Sequence, residues 1–144
     1  VKICYADGRK YAPLTMDGQG AYSLKYNLLF DKLLELKLFP ESVYRAEFEA
    51  TLSYANRYGA PLDERKTYTK SDWLMWMAAL CEDDEARKPI YEALDRYLTE
   101  TPSRVPYSDW YETETGESVA FSHRSVQGAM FAVALLHSGK MAHA

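Results

Sequence analysis

Several things this 144-residue chain has little of narrow its function before anything it contains is considered. Cysteine is scarce: Cys4 and Cys81 lie far apart, with neither the close spacing of a zinc site nor the density of a disulfide scaffold, so the redox compartment stays open. His123, His137 and His143 show no metal spacing with one another or with carboxylates, and neither a metal nor any other cofactor is expected. No window concentrates Lys and Arg, and a net charge of -4 gives no counterion-release drive toward phosphate backbones, so nucleic acid is a poor fit as a partner. No apolar run approaches the ~20 residues a membrane helix requires, and the segment Met130 to Leu136 is far too short, so no membrane partner is expected. Serine and cysteine nucleophile motifs of the Gly-x-Ser-x-Gly kind are missing as well. The chain starts at Val1 with no basic-then-apolar leader and reads as a processed or excised piece.

What is present suits a packed domain. Hydrophobic residues make up 47% of the chain, and twelve tyrosines, each with an apolar body and a polar tip, point to a wet, aromatic-lined groove. Apolar residues recur at helical spacing from Tyr22 to Phe39 (Leu24, Leu28, Leu34, Leu38), and Pro40 opens a second periodic segment carrying Val43, Ala46, Ala50 and Tyr54. These predict an αα-hairpin with a very short turn. Gly59 and Pro61 end its second helix, leaving Ala60 to Tyr68 as a loop. Thr69 to Asp72 reads as a capping box opening a third helix with Trp73, Trp76, Met77 and Leu80 inward. Asp83 and Asp84 supply N-cap chemistry for a fourth helix to about Thr99, with Ile90, Leu94, Tyr97 and Leu98 inward and Pro89 in its first turn or kinking it. Thr101 to His123 is a long aperiodic connection, of the length that usually carries function. Ser125 to Ser138 predicts a last helix, closed by Gly139 and buried on most sides. Residues 1–20 look like short strands and turns, with Asp7-Gly8 as a hairpin signal. Five helices joined alternately by short turns and long loops make an all-α array of αα-hairpins, with function on the long-loop end.

Four stretches carry a family resemblance: Tyr22 to Leu28 (YSLKYNL), Tyr58 to Arg65 (YGAPLDER), Tyr68 to Trp73 (YTKSDW) and Arg104 to Tyr111 (RVPYSDWY). A fifth, Arg124 to Gly128 (RSVQG), is similar to a closing motif of the same family. Together they resemble the glutaminase A-like family of fungi and bacteria. The resemblance implies a parent chain several times longer, with a β-rich N-terminal region followed by a toroid of six helical hairpins. Residues 1–144 would be a single partial domain, the C-terminal two to three hairpins. It also implies hydrolysis of L-glutamine to L-glutamate and ammonia, a small amino-acid amide as substrate, and a secreted or periplasmic setting. Gln127 and Ala129 depart from the usual closing motif, beside Arg124.

Amide hydrolysis needs a base for water, an acid for the departing nitrogen, and cationic donors for the amino acid's α-carboxylate. Asp63, Asp72 and Asp109 are the candidate acid and base. Arg65, Lys70 and Arg124 are the candidate anion clamps, Trp110 is a further substrate-binding candidate, and Trp73 and Trp76 could wall a sugar or amino-acid pocket. Flanking aromatics could desolvate Asp109 and raise its pKa. Each residue has a structural alternative: Asp72 capping its helix, Lys70 or Arg65 neutralising Asp63, Asp109 in an Asx-turn, Arg124 tying down the long loop, and Trp73 and Trp76 in the core. Asn27 and Asp31, one helical turn apart, need partners if buried and otherwise suit a solvated pair or a link between neighbouring helices. Two competing functions remain: a glycoside hydrolase-like six-hairpin enzyme using paired carboxylates, and a non-catalytic helical module that is inactive alone and self-associates through exposed apolar faces.

Overall fold

The computed structural model describes residues 12–15 and 22–138. The Asp7-Gly8 hairpin signal, Cys4 and Gly139 lie outside the described residues. A 3-10 turn, Tyr26–Leu28, leads into α1 (Leu29–Leu33); α2 follows at Glu41–Ser53. Strand β1 (Tyr68–Lys70) runs directly into α3 (Ser71–Leu80), and α4 spans Asp84–Glu100. Strand β2 (Trp110–Glu112) precedes a 3-10 segment, Ser125–Phe131, that continues as α5 (Ala132–His137). The fold is all-α, with one small two-stranded ladder among the described residues. Its organising element is α3, against which α1, α2, α4, α5 and the 3-10 segments pack. Leu74, Met77 and Ala78 of α3 are fully buried as a result.

Helices α3 and α4 form an αα-hairpin whose turn is chemically explicit. The Asp83 side chain accepts the backbone N–H groups of Glu85 at 2.9 Å and Ala86 at 3.5 Å, so the N-cap read from the sequence is the one used. Pro89 sits inside α4 beyond its first turn. Ile90, Leu94 and Tyr97 are buried, but Leu98 is 51% exposed because the end of α4 runs past the core.

Five expectations need correction. The predicted helix over Tyr22 to Phe39 survives only as α1. The Asp31 carboxylate folds back to accept the N–H of Leu38 and of Phe39, each at 3.0 Å, and Glu35 and Lys37 take left-handed backbone (φ 49 and 55). The predicted tight turn is therefore a strained, side-chain-capped loop, and Leu34 and Leu38 are exposed. The predicted capping box is absent: Thr69 and Lys70 lie in β1, and the N–H of Ser71 is taken by the Asp109 carbonyl at 2.9 Å. A partner from the long loop thus satisfies the helix end that a threonine hydroxyl was expected to cap. The connection from Thr101 to His123 is partly ordered by β2 and by a bridge between Tyr111 and Ser118. The last helix begins as a 3-10 segment and changes period at α5, so its apolar run cannot keep one face inward. Ala132 is buried while Phe131 is 71% exposed. Trp73 and Trp76 are half-buried rather than core, and Tyr26 stacks on Trp73 with ring centroids 3.8 Å apart.

Candidate functional site

The ladder brings two distant stretches of sequence together. β1 and β2 are antiparallel, with Tyr68 opposite Glu112, Thr69 opposite Tyr111 and Lys70 opposite Trp110. Strand alternation sends Thr69 and Tyr111 into the core, and both are fully buried. Lys70 and Trp110 fall on the other face, where the Lys70 ammonium stands 4.9 Å from the Trp110 ring centroid and 5.1 Å from that of Trp73.

Asp109, one residue before β2, is fully buried beside this ammonium, with Oδ2 4.0 Å from Lys70 Nζ. Arg124 meets it in a bidentate pair: Nε donates to Oδ1 at 2.9 Å and Nη2 donates to Oδ2. Both oxygens of Asp109 are thereby engaged by one guanidinium.

Asp72 is in a different condition. It occupies the first turn of α3 and is only 2% exposed, and its Oδ1 has no hydrogen-bond partner among the described residues. Burial pushes its carboxyl above the ordinary aspartate range and the nearby Asp109 charge adds to that, against smaller pulls from its own N–H, Lys70 and the Trp73 N–H. Trp110 Nε1 and Thr69 Oγ1 are likewise buried without a partner among the described residues. The Arg124 guanidinium feels the charge of Asp72 as well as that of Asp109, so both carboxyls face one cationic centre.

Sequence reasoning missed three participants. Tyr107 donates its hydroxyl to Ser71 Oγ. Burial pushes that phenol up to about 12, with Ser71 pulling it down and Tyr97, Asp109 and Asp72 adding to the rise. Its place two residues before Asp109 was the available signal; its reach to the start of α3 was not legible. Phe121 closes the outside of the group, with its ring centroid 5.8 Å from that of Trp110 and 5.4 Å from the Arg124 guanidinium carbon. The strap that carries it has left-handed backbone at both Ala120 (φ 52) and His123 (φ 57). Gln127, one of the two departures from the closing motif, donates to the Tyr107 carbonyl at 3.4 Å and helps fix the loop to the final 3-10 segment.

Lys70, Asp72, Asp109, Trp110 and Arg124 therefore come together. Asp63 and Arg65 pair with each other instead: the Arg65 N–H and Nε each donate to Oδ1 at 2.9 Å, and Nη2 donates to Oδ2 at 2.7 Å. These side-chain bonds outweigh burial and hold the Asp63 carboxyl below its ordinary range. No hydrogen bond or ion pair joins this couple to the Asp72 group among the described residues. Asn27 is exposed, while the buried Asp31 serves the loop after α1. A cavity of about 770 Å³, lined by Asp31, Lys32, Tyr44 and Arg87 among others, shares no lining residue with the Asp72 group. Among the described residues no cluster of His, Cys, Asp and Glu could hold a metal ion, and no helix is long and apolar enough to cross a membrane.

Comparison with known proteins adds a family to this geometry. The family described as the glutaminase A six helical-hairpin domain matches residues 2–134. Glutaminase A of Aspergillus oryzae is 34% identical over 129 residues, covering 88% of this chain and 19% of that protein. A probable glutaminase of Arthroderma benhamiae is 27% identical over 152 residues, covering 85% of this chain and 18% of its own. The chain thus spans about a fifth of the length of these relatives. No solved structure matches it significantly. With its hairpin architecture matched along nearly the whole sequence, the chain belongs to the glutaminase A-like family, within the six helical-hairpin domain.

Proposed function

We propose that this chain carries part of the active site of a glutaminase-like hydrolase that converts L-glutamine to L-glutamate and ammonia. One observation carries the reading: two buried carboxyls and two cations from three separate stretches of the chain meet at the start of α3, and one carboxyl oxygen has no partner among the described residues. Buried, imperfectly satisfied titratable groups of this kind concentrate at sites of chemistry. In this reading Lys70 and Arg124 hold the α-carboxylate, Trp110 contacts the substrate, and Asp63 with Arg65 forms a supporting ion pair. We further propose that residues 1–144 are the C-terminal portion of a larger hairpin domain, in a secreted or periplasmic protein, and that the isolated chain is inactive. These last points rest on family resemblance and on the share of the relatives that the chain covers.

A carbohydrate-cleaving function has less support. Trp73, a natural platform for a sugar ring, already contacts Tyr26 and Lys70. The test is ammonia release from L-glutamine by the full-length protein, measured beside reducing-sugar release from oligosaccharides. Ammonia that falls at least a hundredfold in Lys70→Met and Arg124→Met variants supports the amidase. Sugar release without ammonia, from folded protein, refutes it.

A further inference from the structure

The two buried carboxyls are often interchangeable in a reading from sequence, but their surroundings here differ. Asp109 has both oxygens taken up by Arg124 and lies 4.0 Å from Lys70. A carboxylate bound in that way commits a lone pair of each oxygen to the guanidinium, which holds it in place. Asp72 sits in the same cluster with Oδ1 buried and unpartnered among the described residues. Trp110 Nε1, a donor only, is buried and unpartnered as well. An acceptor-or-acid and a fixed donor match the two ends of a primary carboxamide, whose oxygen accepts a hydrogen bond and whose nitrogen takes up a proton as the C–N bond breaks.

We infer that Asp72 is the proton-carrying catalytic acid of this site and that Asp109 is a positioning residue, which fixes Arg124 and keeps the proton on Asp72. The inference rests on the amide-hydrolysis reading above. In the reaction, water oxygen adds to the carboxamide carbon, and the C–N bond breaks with its electron pair leaving on nitrogen. The Asp72 proton goes to that nitrogen, which departs as ammonia, and the proton lost by the water returns to the Asp72 carboxylate. One carboxyl thus serves both transfers, and Asp109 exchanges no proton.

The charged and titratable groups that face Asp72 are Asp109 from the entry to β2, Lys70 from β1, Arg124 from the head of the final 3-10 segment and Tyr107 from the long loop. No charged group of α1, α2 or α4 contributes to its shift. The two nearest act in opposite directions: Asp109 favours protonated Asp72 and Lys70 favours the carboxylate.

That opposition supplies the test. In the 144-residue chain, the Asp72 side-chain carboxyl followed by carbon-13 NMR is expected to titrate above the ordinary 3.8. Its midpoint moves down in D109N and up in K70M. In the full-length protein, the basic limb of kcat for ammonia release moves in the same two directions, and D72N lowers kcat by a hundredfold or more with KM little changed. A merely structural role for Asp109 would lower activity without moving the limb. If D109N fails to fold, the upward shift in K70M decides alone. An Asp72 midpoint at or below 3.8 overturns the inference whether or not ammonia is made, as does D72N retaining more than a tenth of kcat. A wild-type protein that releases no ammonia overturns the amide reading and Asp72's part in it, while the titration still decides which carboxyl holds the proton.

Discussion

Replacing Arg124 with methionine leaves the Asp109 carboxylate fully buried with neither oxygen engaged by its guanidinium. Breaking a buried ion pair from one side costs ~3–5 kcal/mol, because the stranded charge keeps its desolvation penalty. Here Lys70 remains 4.0 Å away and the Arg124 side chain is itself 30% exposed, so the lower end applies, about 3 kcal/mol. With a urea dependence of about 2 kcal/mol per molar, the unfolding midpoint should fall by about 1.5 M. Asp109→Asn alone should also be costly, since an amide offers one acceptor oxygen where the guanidinium fork meets two, and turns an N–H donor toward it. The double variant removes charge and partner together, and should lose about 2 kcal/mol less than the two single losses combined. Urea unfolding followed by tryptophan fluorescence, which reports on Trp73 and Trp110 beside the pair, measures all four corners of the cycle. Strict additivity, or a loss below 1 kcal/mol for Arg124→Met, would refute the claim that this pair holds the long loop to the start of α3.

Asp72 should behave in the opposite sense. Its folded pKa is raised, so its carboxylate destabilises the fold once the pH rises above the ordinary 3.8, and Asp72→Asn should gain about 1 kcal/mol at pH 7 but not at pH 3, visible as a few degrees in Tm. An unchanged or lower Tm at pH 7 would count against that burial penalty. For Asp31, burial raises the pKa, but the Leu38 N–H, the Tyr44 hydroxyl and the Phe39 N–H together lower it below 3.8. The stability it contributes is complete above that pH and disappears as pH falls through the lowered value, so Asp31→Asn should flatten acid unfolding monitored by circular dichroism. Phe30, Leu34, Leu36 and Leu38 form an exposed apolar run, and we propose that the chain self-associates through it; sedimentation showing a monomer at all concentrations would exclude this, and serines at Leu34 and Leu38 should abolish it.

Legibility from the sequence followed the range of the interactions. The Asp83 cap was readable because an N-cap acts over two or three residues. The helix expected over Tyr22 to Phe39 failed because Asp31 had a stronger local alternative: its carboxylate takes the N–H groups of Leu38 and Phe39, and periodicity does not report that competition. Tyr68-Thr69-Lys70 read as the approach to a helix because its strand partner lies beyond α4, and a three-residue strand has too little alternation to announce itself. Within the site, the five convergent residues stood in the motifs that carry the family resemblance. Asp63 and Arg65 looked equally promising, yet a cation two residues away chelates a carboxylate at small entropic cost and holds both side chains in a local ion pair. Tyr107 and Phe121 were hidden because their roles depend on where the loop folds.

The β1–β2 ladder has a consequence in time. Lys70 cannot stand beside Asp109 and the face of Trp110 until two segments separated by the whole of α3 and α4 have found each other. Closing a loop of that size is slow compared with forming either helix, so α3 and α4 can exist before the cationic centre does. A nascent or partly opened chain would then be helical yet without that centre, and hydrogen exchange at Thr69 and Tyr111 would report its assembly better than any measure of helix content.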